Sequence, residues 1–268
     1  MRKSVVFILS HNYSGSTWLS LLLGSHSQAF YVGELNKLYS KKYPMPCAFC
    51  EKRGCECPYF CDVKQVHPSE IHNLMLARTG KQVLVDNSKR IKWSYRFLGD
   101  SSYQRKYIHL IKDPRAIYCS LLIRNRADEF SDWAQRNTEI DAFLSEYELD
   151  KFVLTYNELA EQTDGALTRL CNWIGLGYEP AQKEYWRFEH HGPGENGATS
   201  AFLQNSRTSD QQFYSEYSRK NFVDLRWKEK LDGEILKSIE ENPEVQRLFE
   251  DLRLEFSETG LQKQKEIR

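Results

Sequence analysis

Four short apolar runs, separated by helical patterns, constrain the fold of this chain more than any other feature. The runs cover residues 5–9, 82–85, 107–111 and 151–155. The helical patterns between them cover residues 17–23, 71–79 and 114–126. Strands that are apolar along their whole length are typical of a parallel sheet covered by helices on both faces. We therefore predict an α/β fold with a central parallel sheet, whose functional loops follow the carboxyl ends of the strands.

The length and the charge of the chain exclude some classes of function. The chain has 268 residues, of which 40% are hydrophobic, enough to build the core of one large domain over residues 1–268. Lysine plus arginine and aspartate plus glutamate each number 37, so no overall basic field would attract nucleic acid or an anionic membrane. The apolar run at residues 5–9 is too short for a membrane span or a secretory signal. We expect a cytoplasmic protein with no nucleic-acid partner. The sequence contains no heptad pattern, so it does not indicate the oligomeric state.

Five of the seven cysteines lie within residues 43–63, which also contain several prolines. We interpret this stretch as an irregular Cys-rich insertion, and residues 188–268, which begin polar and glycine-rich, as a C-terminal helical or lid region. The cysteines are clustered, unlike those of a secreted disulfide framework. This clustering also favours a location in the reducing cytosol. The spacing is not that of a clean zinc ribbon, so structural zinc, disulfides and free buried thiols stay open. The candidate zinc ligands are Cys47, Cys50, Cys55, Cys57 and Cys61.

A polar loop follows the first predicted strand and leads into an apolar helix. Free amides at a helix start and the positive end of its dipole attract phosphate, and Gly15 allows the backbone to approach closely. Ser14, Ser16 and Thr17 add hydroxyl donors. The alternative is a serine-rich turn that only caps a core helix. The G-x-x-x-x-G-K-[ST] spacing of an ordinary ATP loop is absent, which disfavours a P-loop phosphotransferase.

The junction between a second predicted strand and the helix that follows it is also suited to binding phosphate. Asp113 is positioned to cap a helix that begins with Pro114, which places Ser120 on the second turn. The Lys112 cation and the Ser120 hydroxyl would then be able to reach one phosphate. The alternative for this segment alone is a capped helix with surface cations.

These segments resemble the signatures of sulfotransferases that use 3′-phosphoadenosine 5′-phosphosulfate (PAPS). SHNYSGSTWLSLLLGSHSQAFYVGEL (residues 10–35) is similar to the first signature, a strand, [KR]-S-G-[ST]-T-x-L, a helix and a Gly-Glu pair. YIHLIKDPRAIYCS (residues 107–120) resembles the strand and R-D-P-R-x-x-x-x-S of the second, which grips the nucleotide 3′-phosphate. VDNSK (residues 85–89) and VLTYNEL (residues 153–159) resemble the family's V-D-x-S-K and v-x-Y-E-x-L. The matches span residues 5–177.

The resemblance implies a P-loop-like sulfotransferase fold of the bacterial type and transfer of a sulfuryl group from PAPS, leaving 3′-phosphoadenosine 5′-phosphate (PAP). The acceptor would be a hydroxyl or amine of a small molecule, glycan, lipid or peptide, and its identity is not encoded in the matched motifs. By the same resemblance, the residues that bind the nucleotide are Tyr13, Ser14, Gly15, Ser16, Thr17, Trp18, Lys112, Ser120 and Tyr156.

The resemblance also assigns catalytic roles. Glu34, which follows a strand-like run at residues 30–32, would accept the acceptor proton, and Lys89 would stabilise or protonate the bridging oxygen. His11 is the rival base, because an imidazole titrates near neutral pH. This chemistry requires no metal.

Two departures from the family pattern bear on activity. Tyr13 stands where relatives carry Lys or Arg, and Lys112 stands where they carry Arg, which loses a bidentate contact. A catalytically impaired nucleotide-binding or interaction protein of the same fold is therefore the alternative to an active enzyme.

Overall fold

A five-stranded parallel sheet, in the order β2-β3-β1-β4-β5, forms the centre of the molecule. The computed structural model describes residues 2–40, 47–51, 54–194 and 222–264. The strands are β1 (Ser4–Ser10), β2 (Ala29–Tyr31), β3 (Val83–Lys89), β4 (Gln104–Ile111) and β5 (Lys151–Thr155). Every adjacent pair in this sheet runs parallel, so the carboxyl ends of all five strands meet at one edge. The predicted α/β fold with a central parallel sheet is confirmed.

Helices cover both faces of the sheet. Those before β4 are α1 (Ser16–Gly24), α2 (Ala48–Glu51), α3 (Ile71–Thr79) and α4 (Ile91–Tyr95). Those between β4 and residue 194 are α5 (Pro114–Leu122), α6 (Trp133–Glu146), α7 (Tyr156–Glu161) and α8 (Thr163–Ile174). Short 3-10 helices occupy Leu35–Tyr39, Val63–Gln65, Pro68–Glu70, Ala127–Asp132 and Pro180–Arg187.

Successive side chains of β1 enter opposite halves of the core, as strand geometry requires. Phe7 and Leu9 belong to a cluster built with α3 and α6. Val6 and Ile8 belong to another, built with α1 and α8. The central strand is therefore buried on both faces, which explains its continuous apolar sequence.

Strand β3 continues further than its apolar run, through polar residues to Lys89. The pairing register between β3 and β1 is irregular between Phe7 and Leu9, and beyond this point Leu9 pairs with Lys89. The buried carboxylate of Asp86 is satisfied by His72 Nε2 at 2.9 Å and Trp93 Nε1 at 2.8 Å. These bonds allow polar side chains at the buried end of the strand, and they place Lys89 next to the loop that follows β1.

The described part of the C-terminal region contains more than helices. It has α9 (Trp227–Lys230), α10 (Gly233–Glu240) and α11 (Pro243–Leu252), then an antiparallel hairpin of β6 (Leu254–Ser257) and β7 (Gly260–Lys263). The expectation of a helical region therefore missed a hairpin, whose strands of four residues are too short to show a clear period. The rest of the region expected at 188–268, and part of the insertion at 43–63, lie outside the described residues. Among the described residues, no helix has the length and apolar character needed to cross a membrane.

Candidate active site

The loop after β1 is shaped by two residues in the left-handed backbone region. Tyr13 has φ 63° and Gly15 has φ 81°. A side chain on Gly15 would place a Cβ 2.5 Å from the ring of Tyr156, so only glycine is accommodated there. Ser14 is buried, and its hydroxyl has no hydrogen-bond partner among the described residues. An unsatisfied buried hydroxyl at the start of α1 is suited to an oxygen of a bound anion.

Tyr156 joins the two sequence-predicted phosphate segments. Its ring lies against Gly15, and its centroid is 5.7 Å from that of Trp18 and 4.6 Å from the Lys112 ammonium. Its hydroxyl donates to the carbonyl of Phe222 at 2.6 Å. The loop after β1, the start of α7 and the end of β4 therefore form one continuous surface.

The predicted 3′-phosphate site contains two residues that sequence reasoning missed. Arg226 Nη2 donates to the Ser120 hydroxyl at 3.0 Å, and Asp224 lies 2.6 Å from Lys112 Nζ and 2.7 Å from Arg226 Nη2. Although burial opposes it, the charges of Lys112 and Arg226 lower the pKa of Asp224 well below its usual range. Lys112 and Arg226 thus share one buried carboxylate, and Arg226 also contacts Ser120, so the two predicted 3′-phosphate residues belong to one cluster.

The predicted acid and base residues also meet. Glu34 Oε1 lies 3.2 Å from Lys89 Nζ and 3.1 Å from Lys37 Nζ, and the Glu34 side chain is only 10% exposed. Arg136 fixes the left-handed backbone of Lys89 by donating to its carbonyl at 3.0 Å. Removal from solvent lowers the pKa of the Lys89 ammonium, although Glu34 opposes the shift. The pair is therefore a buried carboxylate beside an ammonium that gives up its proton more readily than an ordinary lysine.

Positive charge surrounds Tyr13, although the residue itself carries none. Its hydroxyl accepts a hydrogen bond from Arg126, and the guanidinium of Arg124 lies 4.9 Å from the centre of its ring. Both arginines follow α5, which ends at Leu122 rather than at residue 126 as expected. Sequence reasoning missed these arginines because they belong to no matched motif.

His11 has both ring nitrogens engaged. Nε2 lies 2.9 Å from Asp132 Oδ1 and Nδ1 lies 2.9 Å from the carbonyl oxygen of Asn12. Both ring nitrogens are therefore occupied by contacts within the protein. A substrate would have to displace one of these contacts to reach a ring nitrogen of His11.

The cysteine insertion forms a compact cluster with a distant histidine. Cys47, Cys50 and Cys57 lie with His191 so that their ligand atoms are all within 4.8 Å of one another. Of the five candidate zinc ligands, Cys47, Cys50 and Cys57 lie in this cluster, whereas Cys55 and Cys61 are exposed and lie outside it. All seven cysteines lie in the described residues, and all are free thiols. In the sequence, the feature that could have identified the fourth member of this cluster is the histidine pair at residues 190–191, in the polar stretch after residue 188.

The fold is similar to those of known sulfotransferase domains. No family model matches the sequence, and no curated protein does. The structure is similar to the sulfotransferase domain from the curacin biosynthetic pathway, with 19% identity, a TM-score of 0.59 and coverage of 93% of this chain and 97% of that one. It is also similar to the sulfotransferase domain from the Synechococcus PCC 7002 olefin synthase, with 15% identity, a TM-score of 0.62 and 96% of each chain covered. This chain therefore has the fold of the sulfotransferase family.

Proposed function

We propose that this protein is a sulfotransferase that transfers the sulfuryl group of PAPS to a hydroxyl or amine acceptor. The observation that carries the proposal is the arrangement of three groups along one edge of the sheet. The Glu34 and Lys89 pair lies at the ends of β2 and β3, the Gly15 loop follows β1, and Lys112 follows β4. Neighbouring strands are about 4.8 Å apart, so the backbone at Lys89 on β3 and the backbone after β4, two strands away, are separated by about 10 Å, the scale of one nucleotide.

The positions of the side chains support the following chemical roles. Glu34 accepts the proton of the acceptor as its oxygen or nitrogen forms a bond to sulfur. Lys89 neutralises, or protonates, the bridging oxygen as the bond between that oxygen and sulfur breaks, which releases PAP. Arg124 and Arg126, beside Tyr13, supply positive charge near the same loop. Positioning and electrostatics carry the reaction.

The donor nucleotide matches two features of the site. The orphan hydroxyl of buried Ser14 and the amides at the start of α1 suit the 5′-phosphate. Lys112, Arg226 and Ser120 suit the 3′-phosphate, with Asp224 holding the two cations in place before the nucleotide arrives. A phosphate gains charge-assisted hydrogen bonds from both cations.

Nucleotide binding tests the donor half of the proposal. PAP should raise the melting temperature of the protein more than AMP, which lacks the 3′-phosphate, or ATP. Ser120→Ala should weaken PAP binding by about 1–3 kcal/mol and leave AMP binding unchanged, because the hydroxyl is assigned to the 3′-phosphate. Equal stabilisation by PAP and AMP would contradict the assignment.

Transfer itself is tested with sulfate-labelled PAPS and a panel of phenol, sugar, amine and peptide acceptors. Acceptor-dependent release of label from PAPS is the expected result. A nucleotide-binding protein without transferase activity is the second candidate, favoured by Tyr13 in place of a cation. That protein would bind PAP and leave the label on PAPS with every acceptor offered.

A further inference from the structure

The Cys-rich insertion and the chain near residue 190 meet in a buried cluster of four side chains. Cys47, Cys50, Cys57 and His191 are at most 6% exposed, and they come from segments more than 130 residues apart. Nδ1 of His191 lies 3.8 Å, 3.4 Å and 3.5 Å from the sulfurs of Cys47, Cys50 and Cys57. One ring nitrogen is therefore almost equally distant from three thiols.

Hydrogen bonding does not account for this arrangement, because Nδ1 of His191 has one hydrogen or one lone pair to share. A tetrahedral zinc ion does account for it. Zinc lies about 2.3 Å from sulfur and about 2.0–2.1 Å from nitrogen, which places neighbouring sulfur and nitrogen ligands about 3.6 Å apart. The three observed distances lie on either side of that value.

The surroundings of His191 agree with a ligand role. Its other ring nitrogen, Nε2, lies 3.5 Å from a carboxylate oxygen of Glu189. A carboxylate at the second nitrogen is the usual outer partner of a zinc-bound histidine, because it fixes the ring orientation and the tautomer. The rings of Phe49 and Tyr59 pack edge-on to the imidazole, with centroids at 4.8 Å and 5.0 Å. These rings shield the cluster from water.

We propose that Cys47, Cys50, Cys57 and His191 bind one structural zinc ion. Three sulfurs and one nitrogen in tetrahedral reach are the ligand set that zinc prefers. Four protein ligands leave no coordination position for a substrate, so the ion has a structural role. The proposal stands on these four residues alone and does not depend on the transferase activity.

The zinc site also connects the insertion to the backbone of Glu34. The residues that follow His191 pack on the turn before Glu34: a Cβ on Gly192 would lie 2.8 Å from Gly33 Cα, and the Glu34 amide donates to the Pro193 carbonyl at 3.0 Å. The ion therefore anchors the segment that holds the Glu34 backbone. This consequence for catalysis, unlike the metal site, rests on the proposed function.

Metal analysis tests the site without any activity measurement. Protein purified without chelator should contain about one equivalent of zinc. Cys57→Ser and His191→Asn should lose most of it, whereas Cys55→Ser and Cys61→Ser, matched controls from the same insertion, should retain it. Less than about a tenth of an equivalent in the unaltered protein, or full retention in Cys57→Ser, would overturn the proposal.

Two measurements on the unaltered protein decide the matter should the variants fail to fold. Cobalt exchanged for zinc should give the thiolate charge-transfer absorption of a tetrahedral sulfur-rich site. Titration of thiols in denaturant with chelator should find all seven. A count lower by two, with peptide mapping that places the bridge on Cys47, Cys50 or Cys57, would overturn the zinc site in favour of a disulfide.

Amide exchange tests the connection to Glu34. Removing the metal with a chelator should speed exchange of the Glu34 amide, because its acceptor, the Pro193 carbonyl, loses its anchor. The amide of Leu110, at the centre of the sheet, is the internal control. Exchange of Glu34 that is unchanged in metal-free protein would overturn the anchoring role, whatever the enzyme's activity.

Discussion

At the scale of single residues, the pair of Glu34 and Lys89 has the most direct consequence for function. The two come from the ends of adjacent strands and meet at 3.2 Å. Lys37 makes a second contact with the same carboxylate oxygen. Both ammonium groups contact Oε1, so Oε2 is the carboxylate oxygen that has neither lysine as a partner.

Glu34→Gln preserves the shape of the side chain and removes its basicity. We expect turnover to fall by about 10²–10⁴-fold while PAP affinity changes little, because the carboxylate faces the acceptor. Steady-state rates with labelled PAPS and calorimetry with PAP measure the two effects. His11→Ala is the comparison. If that variant is inactive while Glu34→Gln remains within a few-fold of the unaltered enzyme, the base is His11.

The lowered pKa of Lys89 predicts how the reaction rate changes at alkaline pH. Desolvation lowers the pKa of its ammonium, and only the protonated form neutralises or protonates the bridging oxygen. Activity should therefore fall as pH rises through a value below that of an ordinary lysine. Lys89→Arg keeps the charge at all these pH values, so this alkaline decline should disappear even if the rate is lower. An unchanged decline in Lys89→Arg would assign it to another group.

At the scale of elements, the close packing of α7 against the loop after β1 fixes the shape of the predicted phosphate-binding loop. Gly15→Ala should push the Tyr156 ring away and strain a backbone at φ 81°, so we expect weaker PAP binding and a lower melting temperature. Gly177→Ala is a matched control, because its added methyl group meets open space. Equal PAP affinity in both variants would mean that the Gly15 loop does not contact the nucleotide.

The sequence predicted the elements that carry local signals, and it missed the contacts between distant ones. Asp113 and Pro114 mark the start of α5 in the sequence, and the structure confirms that Asp113 accepts from the amide of Arg115 at 2.8 Å. Arg226 reaches Ser120 across more than a hundred residues, and His191 reaches the cysteines across a similar separation. Neither periodicity nor spacing in the sequence predicts these long-range contacts, because they depend on how the folded helices, strands and loops pack together.

At the scale of the whole molecule, Arg115 joins the C-terminal segment to the helix that begins the predicted 3′-phosphate site. Its guanidinium pairs with Asp113 at 2.7 Å and with Glu240 at 2.8 Å. It also lies 3.9 Å from the ring centre of Trp227 in α9. The Arg115 and Asp113 side chains are 5% and 1% exposed, so their ion pair is shielded from solvent, whereas the Glu240 side chain is 39% exposed.

Arg115→Met should therefore leave the buried carboxylate of Asp113 without its cationic partner, and we expect a loss of about 3–5 kcal/mol in the free energy of unfolding. Arg169→Met is the control, because it breaks an ion pair with Glu158 in which the arginine side chain is 47% exposed, and exposed pairs contribute at most about 1 kcal/mol. Urea unfolding of the two variants measures the difference. Similar losses in both would show that Arg115 does not hold the C-terminal segment, and that the apolar contacts of Leu254 and Leu261 carry its attachment.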